Sequence, residues 1–79
     1  MDYDQEKVDE MVLALLYLTS FREENVTRAW KSMDWDALDR LFQKGYIQNP
    51  KSKAKSVLLT ETGEKLSREY FLKHFAAQE

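Results

Sequence analysis

Five cations fall inside one acid-free window of this chain. From Arg40 to Thr60 the sequence holds Arg40, Lys44, Lys51, Lys53 and Lys55 and no Asp or Glu, while the formal charge of the whole is −2, so the remainder carries −7. A positive segment on an otherwise acidic protein suits phosphate oxygens, which give nucleic-acid affinity without regard to base sequence. Three of the lysines alternate through Lys51-Ser52-Lys53-Ala54-Lys55, and Gln43 stands between Arg40 and Lys44. Arg40, Gln43, Lys44, Lys51, Lys53 and Lys55 are therefore the candidate nucleic-acid contacts, with double-stranded DNA, bound weakly and nonspecifically, as the expected partner. The competing account is a solvated turn, because lysines at a hairpin tip also keep an exposed edge soluble.

Catalysis finds no such grouping. His74 is the single histidine, and its helical spacing puts it on an apolar face, where a packed side chain is commoner than a base. The carboxylates Asp34, Asp36 and Asp39 read as a helix cap and a solvated face, not as an acid/base pair or metal site. There is no cysteine, which excludes disulfides, thiolate nucleophiles and cysteine-bound zinc, and the two glycines, Gly45 and Gly63, stand singly at element boundaries and form no phosphate-cradling loop. A non-enzymatic protein without cofactor or metal is expected.

The elements that must carry the basic window follow from periodicity and punctuation. Asp34 caps a helix, Met33 and Leu38 staple its start, Trp35, Leu38, Leu41 and Phe42 share one side, and Gly45 stops it. Tyr46-Ile47 suits a short strand, Asn49-Pro50 breaks it, and Val57-Leu58-Leu59 is an apolar return strand. Thr60 caps a closing helix whose first turn holds Glu61 and Glu64 at the positive end of its dipole. Near the start, Asp4 caps a helix stapled by Tyr3 and Val8, with Val8, Met11, Val12, Leu15, Leu18 and Thr19 as its main apolar stripe. The spacing predicts helices over 5–20, 25–31, 34–44 and 61–76, and a hairpin joining 45–48 to 56–59.

The run LDRLFQKGYI, a basic turn and SVLLTETGEKL together resemble the recognition helix, wing and post-wing helix of the bacterial MarR-type and PadR-type winged-helix regulators, over the second half of the chain. Taken with RAWKSMDWDALDRL, the whole chain also resembles a small family of bacterial proteins of unknown function, marked by R-A-W-K, D-W-D-A-L-D-R-L, K-G-Y-I and K-A-K-S-V. The first resemblance implies an α+β winged-helix-like domain with three to four helices and one β-hairpin wing, with its base-reading face at Asp36, Asp39, Arg40 and Gln43. Two of those four are carboxylates that phosphates repel, and the segment Asn25 to Lys31 leaves only about two turns, at 3.6 residues each, for the preceding helix. A protein-protein interaction or dimerisation module that has lost groove reading is thus the second functional reading.

The remaining aromatic and apolar residues are expected to pack. Trp35 lies on the core stripe of its helix and Trp30 seals the small core, in preference to stacking on nucleobases. Leu13 and Tyr17 fall opposite the main stripe of the first helix, either under the closing helix of the same chain or, with Phe75, at the seam of a homodimer. In the closing helix Leu66, Tyr70, Phe71, His74 and Phe75 share a broad face. A length of 79 residues makes a single domain over 1–79, and 43% hydrophobic residues including ten aromatics make disorder the wrong default. The acidic first ten residues are unlike a secretory signal, and Met11 to Leu18 is too short an apolar run to span a bilayer, so a cytoplasmic protein without membrane contact is expected.

Overall fold

The computed structural model describes residues 2–77. Its elements are α1 (Gln5–Leu18), β1 (Ser20–Glu23), β2 (Val26–Trp30), α2 (Trp35–Gln43), β3 (Ser56–Leu59) and α3 (Glu61–Phe75). The result is an α+β domain of winged-helix-like layout, with three helices and one antiparallel sheet in the order β1-β2-β3. Each helix starts at the cap its sequence offers. Asp4 accepts a hydrogen bond from the Lys7 amide, Asp34 from that of Ala37 and Thr60 from that of Gly63, each at 3.0–3.1 Å.

Residues 25–31, expected as a helix, instead form β2 and the turn leading into it. Glu24 and Asn25 both take positive φ, 49° and 71°, which makes the two-residue hairpin loop whose twist matches that of antiparallel strands. Beyond the turn the chain alternates with period two. Thr27 and Ala29 are buried on the inner face, while Val26, Arg28 and Trp30 stand on the outer one. β-Branched Val26 and Thr27 favour that geometry over a helix. Helix α1 accordingly ends at Leu18, where the hydroxyls of Thr19 and Ser20 donate back to the carbonyls of Leu16 and Tyr17.

The hairpin expected between 45–48 and 56–59 is reduced to one antiparallel bridge, Ile47 to Leu59, supported by the Gln48 amide on the Leu58 carbonyl. Strand β3 pairs chiefly with β2, from Thr27↔Leu59 to Trp30↔Ser56. Its inner side chains, Val57 and Leu59, join Ala29, Leu38, Leu41, Ile47, Val12, Leu13 and Leu16 in the core.

Two glycines shape the approach to β3. Gly45, at φ 82°, closes α2: its amide reaches the Phe42 carbonyl and that of Tyr46 reaches Leu41, the paired bonds of a Schellman stop. The Tyr46 carbonyl then accepts from the Thr60 amide and lies so close to Gly63 that a Cβ there would stand 1.8 Å from its oxygen. Only glycine lets α3 start against this segment.

The buried arc of α1 is rotated from the expected stripe. Asp9, Val12, Leu13, Ala14 and Leu16 are buried, whereas Leu18 is 64% exposed. The cause is tertiary: α1 lies between α3 on one side and α2 with β2 on the other, so residues opposite the apolar stripe are covered as well. Leu13 is fully enclosed in its own chain and offers no surface to a second copy, and Tyr17 is partly covered by Phe71, with ring centroids 5.2 Å apart. Phe75 remains exposed.

Candidate nucleic-acid interface

The lysine segment is an ordered loop. Asn49 accepts the Lys51 amide at 2.9 Å through its side-chain oxygen, a local turn that its residue type favours, and Pro50 is buried beneath it. Lys31, at the end of β2, ties the far side down: its ammonium donates to the carbonyl and hydroxyl of Ser52 at 3.1 and 3.0 Å, and its amide donates to the Lys55 carbonyl. Lys51, Lys53 and Lys55 are left exposed, and among the described residues no carboxylate pairs with them.

Arg40 and Lys44 do not belong to that surface. Both point from α2 onto Asp9 of α1, whose side chain is only 2% exposed. Arg40 Nε donates to both Asp9 oxygens at 2.8 and 2.9 Å, and Lys44 Nζ reaches Asp9 at 3.0 Å and Glu6 at 3.2 Å. Arg40 Nη2 also lies 2.8 Å from Asp9 but makes no aligned hydrogen bond, so that contact is electrostatic. Hydrogen bonding to Asp9 raises the Arg40 pKa above its ordinary value; for Lys44, desolvation pulls downward, and the bonds to Asp9 and Glu6 overcome it, leaving the ammonium's pKa raised. Their charge is spent inside the fold. Of the expected α2 contacts Gln43 and Lys44 are exposed, beside Asp36 and Asp39, but the Lys44 ammonium is engaged by Asp9 and Glu6.

Both tryptophans, expected in the core, are on the surface. Trp30 is 51% exposed because the strand alternation turns it outward, where it meets Phe21 at 5.2 Å. Trp35 is 57% exposed because it occupies the first helical position of α2, past the edge of the packed face; half-buried Met33 packs against the core in its place. The two indoles border one hollow of about 410 Å³, lined also by Lys31, Ser32, Ser52, Ala54 and Lys55, with the Lys31 ammonium 6.0 Å from the Trp35 ring centroid. Val26, Ala29 and Trp30 do not alternate with polar residues, so no local signal places Trp30 outside; only the burial pattern of β2 turns it outward, and no local signal marks Trp35 either.

A second, more charged cleft of about 700 Å³ opens where α1, α2 and α3 converge, lined by Glu6, Asp9, Glu10, Lys44, Lys73 and His74 among others. His74 Nε2 meets Glu10 and Lys73 adds a weaker contact at 3.4 Å. Hydrogen bonding to His74, assisted by Lys73 and opposed by burial, holds the Glu10 carboxyl below its ordinary pKa. Burial pushes the Tyr70 phenol up. These contacts from Glu10 to His74 and Lys73 tie α1 to α3 across the cleft. Among the described residues no group of three His, Asp or Glu is placed to hold a metal ion, and no helix is long and apolar enough to cross a membrane.

Comparison with known proteins extends over almost the whole chain. Residues 4–77 match the model of a domain of unknown function, DUF6429. The uncharacterized protein y4hR of Sinorhizobium fredii is 44% identical over 75 residues, covering 95% of this chain and 97% of that protein. No solved structure matches.

Proposed function

Since this chain belongs to the DUF6429 family, whose description carries no activity, we propose from the geometry that it is a small non-enzymatic binding module gripping nucleic-acid phosphates with the loop Asn49–Lys55. The observation that supports this is the contrast within one acid-free window. Arg40 and Lys44 are bonded to Asp9, whereas Lys51, Lys53 and Lys55 stand exposed on a loop held in shape by Lys31, Asn49 and Pro50. A loop needing only solubility has no use for such anchoring, while a phosphate contact gains from cations whose backbone is already ordered. Such contacts carry little sequence preference.

The test is duplex DNA titrated at low salt with the parent and with Lys51→Gln/Lys53→Gln/Lys55→Gln. The parent should bind with a log-log salt slope no steeper than about −2.7, three contacts at about −0.9 each, and the triple variant should lose affinity equally for unrelated sequences. Equal binding by parent and variant would reduce the loop to a solvated turn. The second reading, a protein-interaction module, is favoured by Asp36 and Asp39 on the outward face of α2 beside exposed Trp35, a face that repels DNA and suits a protein partner.

A further inference from the structure

We propose that the nucleic acid taken by this surface is single-stranded, with Trp30 and Trp35 stacking unpaired bases while Lys31, Lys51, Lys53 and Lys55 follow the phosphates. The inference rests on the phosphate-contact reading of the lysine loop and adds to it the form of nucleic acid bound. Exposed indoles are uncommon on a small protein, since a half-exposed tryptophan leaves a large apolar face in water. Here two of them, the only two in the chain, border the same hollow, and that hollow is walled by the lysine loop.

The arrangement has the two parts that single-strand recognition requires, a row of cations along the backbone path and aromatic faces on which splayed bases lie. Trp30 projects from the outer face of the sheet, backed by Phe21, with Arg28 beside it on the same face. Trp35 stands across the hollow, with Lys31 over its ring. A duplex keeps its bases stacked on each other and cannot use either indole. It would also have to bring its phosphates to α2, which turns Asp36 and Asp39 outward. The charge pattern around the hollow therefore complements a strand whose bases are free.

The chain's only tryptophans are the proposed platforms, so their emission reports contact directly. A short mixed-sequence single-stranded DNA, the matching RNA and the same DNA as duplex are titrated at low salt, following tryptophan fluorescence and, independently, the anisotropy of labelled oligonucleotide. The expected result is tighter binding of the single strands with quenched emission. Trp30→Ala and Trp35→Ala should each weaken single-strand binding about 5- to 150-fold and leave duplex binding unchanged, while Trp35→Phe, which keeps a ring, should retain most of the affinity. Far-UV circular dichroism checks each fold, and Trp30→Phe replaces Trp30→Ala if loss of the ring over Phe21 unfolds the sheet. A tighter DNA or RNA arm names the sugar preferred. Equal affinity for single strand and duplex, with tryptophan variants unaffected and the lysine variant weakened, would overturn the stacking proposal and leave phosphate contact standing. No binding of any nucleic acid would overturn both, and the indoles would then belong to a protein interface.

Discussion

Replacing Asp9 with Asn tests the pairing of Arg40 and Lys44 with this buried carboxylate, and its expected cost can be worked from the contacts. The Asp9 carboxylate is almost wholly buried and receives Arg40 Nε on both oxygens and Lys44 on one. Asparagine keeps the volume, so no cavity opens and the loss is that of the charge. Removing one member of a buried ion pair costs about 3–5 kcal/mol because the partner is left uncompensated. Arg40 and Lys44 retain 22% and 29% side-chain exposure and so recover part of their hydration, which reduces the expectation to about 2–3 kcal/mol. A domain of this length holds only about 4–12 kcal/mol in total. At roughly 4–8 °C per kcal/mol the melting temperature should fall by about 10–20 °C. Urea unfolding followed by far-UV circular dichroism, with an unchanged m-value, measures the loss. A loss below about 1 kcal/mol would show that the three side chains behave as an ordinary surface pair and that the two cations are available to ligands after all. A companion measurement separates these cases. If Asp9 alone withholds them, Asp9→Asn should steepen the salt dependence of duplex binding by up to about 1.8, two contacts at about 0.9 each.

Three further outcomes are expected. Gly63→Ala should destabilise by about 1–3 kcal/mol or more, measured by the same unfolding assay, because its Cβ would meet the Tyr46 carbonyl, a backbone atom that cannot swing aside; a neutral result would mean α3 is free to shift. For Glu10, a carboxyl held below its ordinary value of 4.5 stabilises the fold at pH above that value and ceases to as pH falls through the lowered value, so Glu10→Gln should flatten the acid limb of stability against pH; an unaltered limb would dismiss the contact with His74. Asp36→Asn/Asp39→Asn should strengthen duplex binding by removing two repelling charges from the outward face of α2, and weaker binding in the same titration would remove that face from the phosphate path.

The parts of the fold that sequence reading recovered are those decided within a few residues. Asp4, Asp34 and Thr60 cap helices because each bond reaches an amide three residues on, and Gly45 stops α2 because its left-handed φ is a property of one residue. The antiparallel contact of Ile47 with Leu59 also followed, since a break at Asn49-Pro50 between two apolar runs leaves the chain to double back. The N-terminal hairpin is poorly marked because its turn is Glu24-Asn25: Asn25 tolerates a positive φ, but Glu24 does not announce one and no glycine flags the turn. Its second strand shows no alternation of apolar and polar residues, and only the β-branched pair Val26-Thr27 argues locally against a helix there. The burial of Asp9 was beyond local reasoning altogether. Its partners lie 31 and 35 residues away, and only the packing of α1 on α2 brings them together.

That long-range pairing also changes what the basic window means. As a string of residues, five cations without an acid among them look like one continuous surface. In three dimensions the window is divided at Gly45. Before it, Arg40 and Lys44 neutralise a buried carboxylate and fasten α2 to α1; after it, Lys51, Lys53 and Lys55 face solvent. A helix that spends its cations inward has Asp36, Asp39 and Gln43 to offer outward, a set that a duplex groove disfavours. Of the exposed lysines Lys55 lines the hollow bordered by Trp30 and Trp35, because β2 ends and α2 begins on either side of Lys31, the residue that anchors the loop. The same connection thus sets charge and aromatic faces side by side, and a ligand that uses both must bring phosphates and uncovered rings together.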